Sequence, residues 1–336
     1  MERYRLRSAP KDRQRTLLLP LSYGVSSLAL LHMLSSILAR QRLIGQHRTA
    51  FDLHIVVVNP ASLEPSGSSH MPERLDQLRA AYPANKYTEL PLHSILDYDT
   101  DTRGVFAQCL RLSIAESSHV SNEEAMNLFR ASFSTTTARA DVDRILLRRL
   151  IVAFAQNQGC DGILWGDSDS RLAAKTLANV AKGRGSSIVW DVCDGVSPWG
   201  IYFSFPLRDL YKTELELFAS YTLPHLEPII ERDVQDFESI SNRNMSIEDL
   251  MSRYVLTQGA KYPGVMANIV RTIDKLKTPP TGGESRCVLC GVPVGATDNY
   301  IISSEHFDTT ILDQLPNCYG CMRTLLDLRT TVTASR

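Results

Sequence analysis

The stretch Leu17–Leu31, LLLPLSYGVSSLALL, constrains the fold of this chain more than any other. Leu17, Leu18 and Leu19 suit a short buried strand, and Ser22, Tyr23, Gly24, Val25, Ser26 and Ser27 form a turn. Beyond the turn Leu28, Leu31 and Leu34 recur at helical spacing, with Leu30 and Leu38 beside them. A strand that turns through small residues into a helix aims backbone N–H groups at one point. That point carries the positive end of the helix dipole and favours a phosphate. An ordinary connection capped by a serine has the same appearance, so the turn alone leaves both readings open.

Strands and helices alternate after this unit. Asp52–Val58, Lys86–Leu92, Asp161–Trp165, Ser187–Trp190 and Tyr202–Phe205 suit strands, while Pro72–Tyr82, Ser121–Phe133 and Arg139–Gln156 have helical spacing. Gly166–Ala173 is a polar turn that leads into a further helix through Ala181. The pattern predicts an α/β fold, a mostly parallel sheet with helices on both faces. Asp97–Arg103 is acidic and turn-like, Pro60–Ser69 is a loop, and 246–277 reads as two helices before a Pro279–Gly283 linker. With 336 residues the chain exceeds one typical core. The expected organisation is a basic arm over 1–15, an α/β domain over 16–230, a helical segment and linker over 231–280, and a cysteine-bearing unit over 281–330.

Charge excludes some functions. The formal net charge is −1, so any hold on nucleic acid must come from local patches. The arm supplies one, with Arg3, Arg5, Arg7, Lys11, Arg13 and Arg15. The helix over 139–156 supplies another, with Arg139, Arg144, Arg148 and Arg149. The competing reading of that helix is a solvated face whose arginines pair with Asp141 and Asp143. No apolar run has the length needed to span a bilayer. The polar opening lacks the apolar core of a secretory signal, so the expected location is the cytoplasm, with no membrane partner.

Seven cysteines, an odd number, argue against a disulfide framework. Cys287-Val-Leu-Cys290 and Cys318-Tyr-Gly-Cys321 form two CxxC knuckles with 27 residues between them. Two ligands on one tight turn face the same way, and two such turns complete a tetrahedron for zinc. An iron–sulfur cluster is the alternative, since four cysteines suit it too. The spacer exceeds that of an ordinary ribbon and needs a hairpin or loop to fill it. Cys109, Cys160 and Cys193 read as buried small apolar residues.

The turn at 22–27 resembles the pyrophosphate loop of the PP-loop ATP-pyrophosphatase superfamily, Ser-Gly-Gly-x-Asp-Ser. Ser22, Gly24 and Ser27 match that pattern, while Tyr23 replaces a glycine and Ser26 replaces the aspartate. A side chain at Tyr23 blocks close approach of the backbone to phosphate, and Ser26 cannot supply the hard oxygen ligand that Mg²⁺ requires. At the second strand-to-helix turn the tRNA-thiolating families carry a Gly-His-Asn-x-Asp-Asp-type motif. Here Gly166 remains, the two aspartate positions fall on Ser170 and Arg171, and Asp167 and Asp169 lie out of register. Phe205-Pro-Leu-Arg-Asp-Leu210, continuing to Glu214 and Leu215, resembles the segment that follows the last strand in those families.

In their order along the chain these motifs and the cysteine quartet resemble the cytoplasmic tRNA 2-thiolation protein 2 family, from Thr16 to about Leu328. Members usually carry cysteine-containing sequence ahead of the loop, so the resemblance implies a shortened N-terminus. It also implies a role in 2-thiolation of the wobble uridine of tRNAs for Lys, Glu and Gln. The implied partners are tRNA and the catalytic paralogue, tRNA 2-thiolation protein 1, as a heterodimer. Sulfur would come from a thiocarboxylated ubiquitin-related modifier. The expected role is a non-catalytic subunit that binds ATP poorly. The alternatives are an active tRNA-adenylating enzyme using Asp167 or Asp169 for Mg²⁺, and a zinc-dependent binding module in protein modification by the same modifier.

Overall fold

The leucine-rich and β-branched runs form strands where burial demands them. In a computed structural model, the described residues are 2–10, 12–44, 48–59, 71–110, 120–232, 245–276, 285–294 and 316–328. The chain begins with β1 (Thr16–Leu21), α1 (Val25–Ile44), β2 (Asp52–Asn59), α2 (Met71–Ala81) and β3 (Lys86–Pro91). Four helices follow, α3 (Ile95–Tyr98), α4 (Thr100–Cys109), α5 (Asn122–Ala131) and the long α6 (Thr136–Asn157). Next come β4 (Gly162–Leu164), α7 (Asp169–Ala181), α8 (Ile188–Val192), β5 (Gly195–Val196) and β6 (Tyr202–Ser204). The remaining helices are α9 (Lys212–Thr222), α10 (Ile247–Lys261), α11 (Pro263–Ile273) and α12 (Tyr319–Leu325).

The sheet order is β3-β2-β1-β4-β6-β5, parallel except for β5. β1 is central. It pairs with β2 from Thr16↔Asp52 to Leu21↔Val57, and with β4 through Leu17↔Gly162 and Leu18↔Ile163. The strand order therefore reverses between β1 and β4, and a crevice opens at their carboxyl ends. The turns after those two strands are the degenerate loop and the second polar turn. The alternation of β1 divides the core. Leu17, Leu19 and Leu21 pack with α1 and α9 residues such as Leu28 and Leu215, whereas Leu18 packs with Leu146, Leu150 and Leu172 of α6 and α7. The second core continues into Val255 of α10, Met266 of α11 and all four quartet cysteines.

Two expectations need correction. Ser187–Trp190 is helical, a turn at Gly185–Ser187 running into α8. Ile188, Val189, Trp190 and Val192 are all buried, and so short an apolar run has no periodicity to separate strand from helix. Asp97–Arg103 belongs to α3 and α4 rather than a turn. Asp99 makes the junction by accepting from the N–H groups of Asp101 and Thr102. The basic arm is anchored at Tyr4, while Arg3, Arg5, Arg7 and Arg13 stay exposed. Tyr4 is buried, edge-on to Phe51 and Tyr202, in space left by Gly162, where a Cβ would lie 2.3 Å from the tyrosine oxygen. Arg13 pairs with Asp161, and Arg15 donates to the Arg3 carbonyl at 2.9 Å. The loop at 60–69, the linker at 279–283 and most of the spacer between the knuckles lie outside the described residues.

Asp327 fastens the C-terminal segment to the N-terminus of α6. Its carboxylate accepts from the N–H groups of Ser134 and Thr135, at 2.9 and 2.8 Å, and from both hydroxyls. Burial opposes the ionised form, but these hydrogen bonds outweigh it and hold the carboxyl below its ordinary value. Asp327→Ala is expected to cost about 1–2 kcal/mol, the range of a lost helix cap, measured by urea denaturation. Because the folded-state value is depressed, that difference should be full above the ordinary carboxylate pKa, about 4. It should fade as pH falls through the folded value. A pH-independent difference would show that the charge plays no part.

Candidate functional site

The loop at 22–27 keeps its geometry by an unusual means. Among the described residues Tyr23 is the one non-glycine with positive φ, at 57°. A superfamily glycine stands at this position, and this backbone conformation supplies a reason. The ring does not stand free over the turn. It is 2% exposed, packed in the α1-side core with the Arg74 guanidinium 5.6 Å from its centroid. Burial, reinforced by Glu89, pushes its hydroxyl up to about 12. The loop is tied from outside. Glu231 N–H donates to the Tyr23 carbonyl at 2.8 Å, and Gly24 bridges to Glu231. The Ser27 hydroxyl donates to the Gly24 carbonyl at 2.9 Å and lies 3.4 Å from that of Ser22. Ser26 is partly exposed.

The two degenerate turns touch. A Cβ on Gly166 would lie 2.9 Å from Ser27 Cα, so the close approach requires glycine there. The carboxylates nearby have internal partners. Asp167 pairs with Lys175 at 2.6 Å. Asp169 begins α7 and accepts from the N–H and hydroxyl of Ser170, while its other oxygen is buried without a partner. Burial raises its pKa, against the hydrogen bonds from Ser170. The Phe205–Leu210 segment completes this corner: the Leu210 carbonyl accepts from Asp169 N–H at 3.2 Å, and Arg208 pairs with Asp274.

The four arginines of α6 do not form one solvated face, and their acidic partners are not those on their own helix. Arg149 is buried, its side chain 6% exposed; it pairs with Asp99 and donates to the carbonyls of Val288 and Leu289 at 2.6 and 3.0 Å. Arg148 pairs with Asp191 and lies 5.2 Å from the Trp199 ring centroid. Arg144 pairs with Glu248. Arg139 is exposed and donates to the Phe133 carbonyl. Asp143 is taken by Arg130, and Asp141 by Lys182 and Arg184. The partners lie too far away in sequence for helical spacing to reveal them.

The two knuckles converge. The Sγ atoms of Cys287, Cys290, Cys318 and Cys321 all lie within 4.8 Å of one another, and every one of these residues is buried. Cys290 and Cys318 Sγ are 3.7 Å apart. A tetrahedral metal with ~2.3 Å metal–sulfur bonds has edges of about 3.8 Å, so the set can hold a single ion. The knuckle backbone shapes the site. Gly291 N–H donates to the Cys287 carbonyl at 2.7 Å with Gly291 at φ 70°, and Cys318 caps α12 through Cys321 N–H. Beside Cys290 opens a cavity of about 470 Å³, with Arg144, Arg148, Trp165, Trp190 and Glu248 in its wall. Neither this cavity nor the role of Arg184 has a sequence signature, since both arise from packing between distant segments.

Similarity to known proteins extends over the whole chain. A sequence profile described as cytoplasmic tRNA 2-thiolation protein 2 matches residues 246–314. A protein of that name from Coccidioides immitis is 63% identical over 340 residues, covering 100% of this chain and 90% of the relative. Another, from Ajellomyces capsulatus, is 50% identical, covering 98% and 92%. Among solved structures, the U34-tRNA thiolase NcsA from Methanococcus maripaludis with its 4Fe–4S cluster superposes with a TM-score of 0.52. It has 14% identity and covers 88% of this chain and 84% of that one, a likeness of fold. Identity of this extent places the chain in the cytoplasmic tRNA 2-thiolation protein 2 family.

Proposed function

We propose that this chain is a non-catalytic subunit of the cytoplasmic complex that 2-thiolates the wobble uridine of tRNAs for Lys, Glu and Gln. In this reading it pairs with the catalytic paralogue, tRNA 2-thiolation protein 1. The paralogue adenylates the uridine carbonyl with ATP, and sulfur from a thiocarboxylated ubiquitin-related modifier displaces AMP. The observation that carries the reading is the state of the carboxylates around the loop. Position 26 has none, Asp167 is neutralised by Lys175, and Asp169 is buried with one oxygen engaged by Ser170, which leaves a single enclosed oxygen. Phosphoryl chemistry needs Mg²⁺ held by free oxygen ligands. Isothermal calorimetry on the isolated chain should detect no Mg·ATP binding in the micromolar range. Micromolar affinity would favour the active adenylating enzyme instead.

Cys287, Cys290, Cys318 and Cys321 would hold the metal, which we assign as zinc. Zinc would supply a structural cross-link between α12 and the first knuckle. The short sulfur–sulfur spacing supports one ion, because a four-iron cube places each thiolate on a different iron and spreads them farther. Metal analysis of anaerobically purified protein should give one zinc per chain. Iron with acid-labile sulfide would overturn the assignment.

The tRNA grip is assigned to exposed cations. Arg139 is the member of the α6 set that remains exposed, while Arg144 and Arg148 serve ion pairs. Each phosphate contact adds about one unit to the salt dependence of binding. Arg139→Ala in the assembled heterodimer should therefore flatten the slope of log affinity against log salt by ~1 unit. Arg144→Ala with Arg148→Ala should instead destabilise the fold by about 1–3 kcal/mol in all, since each loses a partly buried ion pair while Glu248 keeps Lys182 and Asp191 keeps Asn179. A double variant of unchanged stability whose salt slope falls would return those two arginines to the tRNA interface.

A further inference from the structure

The four sulfurs of the cysteine centre do not share one environment. Cys290 and Cys318 are almost equally exposed, at 7% and 8%. Their neighbours differ. Arg184 Nη1 donates to Cys321 Sγ at 3.1 Å and reaches Cys318 Sγ at 3.8 Å. The same guanidinium is fixed from its other edge, where Nη2 and Nε meet the two Asp141 oxygens at 2.5 and 3.2 Å. Gly320 makes room for it, since a Cβ there would fall 2.4 Å from Arg184 Cγ. Cys290 receives no guanidinium hydrogen bond among the described residues, and it lies in the wall of the 470 Å³ cavity.

A thiolate that accepts a charge-assisted hydrogen bond has part of its electron density engaged and is a poorer nucleophile. We propose that Arg184 divides the centre into two chemically unequal halves. It holds Cys318 and Cys321 as hydrogen-bonded, inert thiolates, and it leaves Cys290, which takes no such bond, as the reactive sulfur, open to small soft electrophiles that enter the cavity. Arg184 is then a positioning residue. It binds no metal, but it decides from which side the centre can be attacked or opened.

The inference rests on the metal reading above, and one experiment separates the two. The full-length chain is purified anaerobically, its zinc, iron and labile sulfide are measured, and it is treated with iodoacetamide. Labelling of each cysteine is followed by peptide mass spectrometry. In the wild type Cys290 should be alkylated ~10-fold faster than Cys318, the worth of one charge-assisted hydrogen bond, despite equal exposure. Arg184→Lys keeps a cation but loses the fork, and it should bring Cys318 up to the rate of Cys290 with metal content retained. Equal rates in the wild type overturn the proposal whether or not the variant folds. So does a lag of Cys318 that persists in folded Arg184→Lys. A metal-free wild type that keeps the same order of labelling would sink the metal and leave the inequality standing.

Discussion

The C-terminal half of the molecule depends on one buried carboxylate. Asp141 is 2% exposed and accepts from Lys182 Nζ at 2.7 Å, Arg184 Nη2 at 2.5 Å and Thr324 Oγ1 at 2.7 Å. Those partners come from the turn after α7 and from α12, so two segments meet on one side chain of α6. Burial alone would favour the neutral acid. The two cations outweigh it and hold the carboxyl well below the usual carboxylate range. Lys182 also reaches Glu248 of α10, which takes Arg144 as well. A charge removed from such a network leaves its partner desolvated and alone, which costs about 3–5 kcal/mol when the pair is buried. The network therefore specifies one arrangement of these helices, whatever its net stability.

The division of the core by β1 separates two regions that can change independently. The degenerate loop lies at the carboxyl end of β1 and is backed by the core around α1 and α9. The cysteine centre is anchored through Arg149 and Asp141 of α6, on the other face. No residue of the loop takes part in the ionic network. A change at the loop can thus leave the packing around the cysteine centre intact.

What could be read from the sequence was what repeats locally. Leu17–Leu31 showed its strand, turn and helix, because apolar spacing changes period across it. The knuckles showed four cysteines that the fold brings together, because two residues between cysteines set a tight turn. Ser121 and Ser246 act equally locally, and both side chains accept from an N–H three residues on. Ile188–Val192 was not legible, since five apolar residues fit a buried strand or a buried helical turn. The arginines of α6 were visible as residues and misread as a surface. Their carboxylates, Asp99, Asp191 and Glu248, are brought in by α4, α8 and α10, and nothing in the spacing of one helix encodes that. Arg184, between Gly183 and Gly185, carried no signal, because its meaning comes from Asp141 on one side and Cys321 on the other.

Tyr23 shows how a motif can diverge in two energetically distinct ways. Position 23 requires a left-handed backbone, which costs a side-chain-bearing residue about 1–2 kcal/mol relative to glycine. Burying an aromatic body offsets this by a similar amount, roughly 1.5–3 kcal/mol, and the Arg74 guanidinium covers the ring. The tyrosine is therefore tolerated as a core residue, and the turn around it survives. Ser26 involves no such exchange, because a serine adopts the same helical backbone as an aspartate and differs only in its charge. Glycine at 23 would relieve the strain but empty a packed site, and aspartate at 26 would restore a charge beside a loop still closed by Glu231. The two departures from the pattern are therefore independent, because one lies in the backbone and the core and the other in the electrostatics.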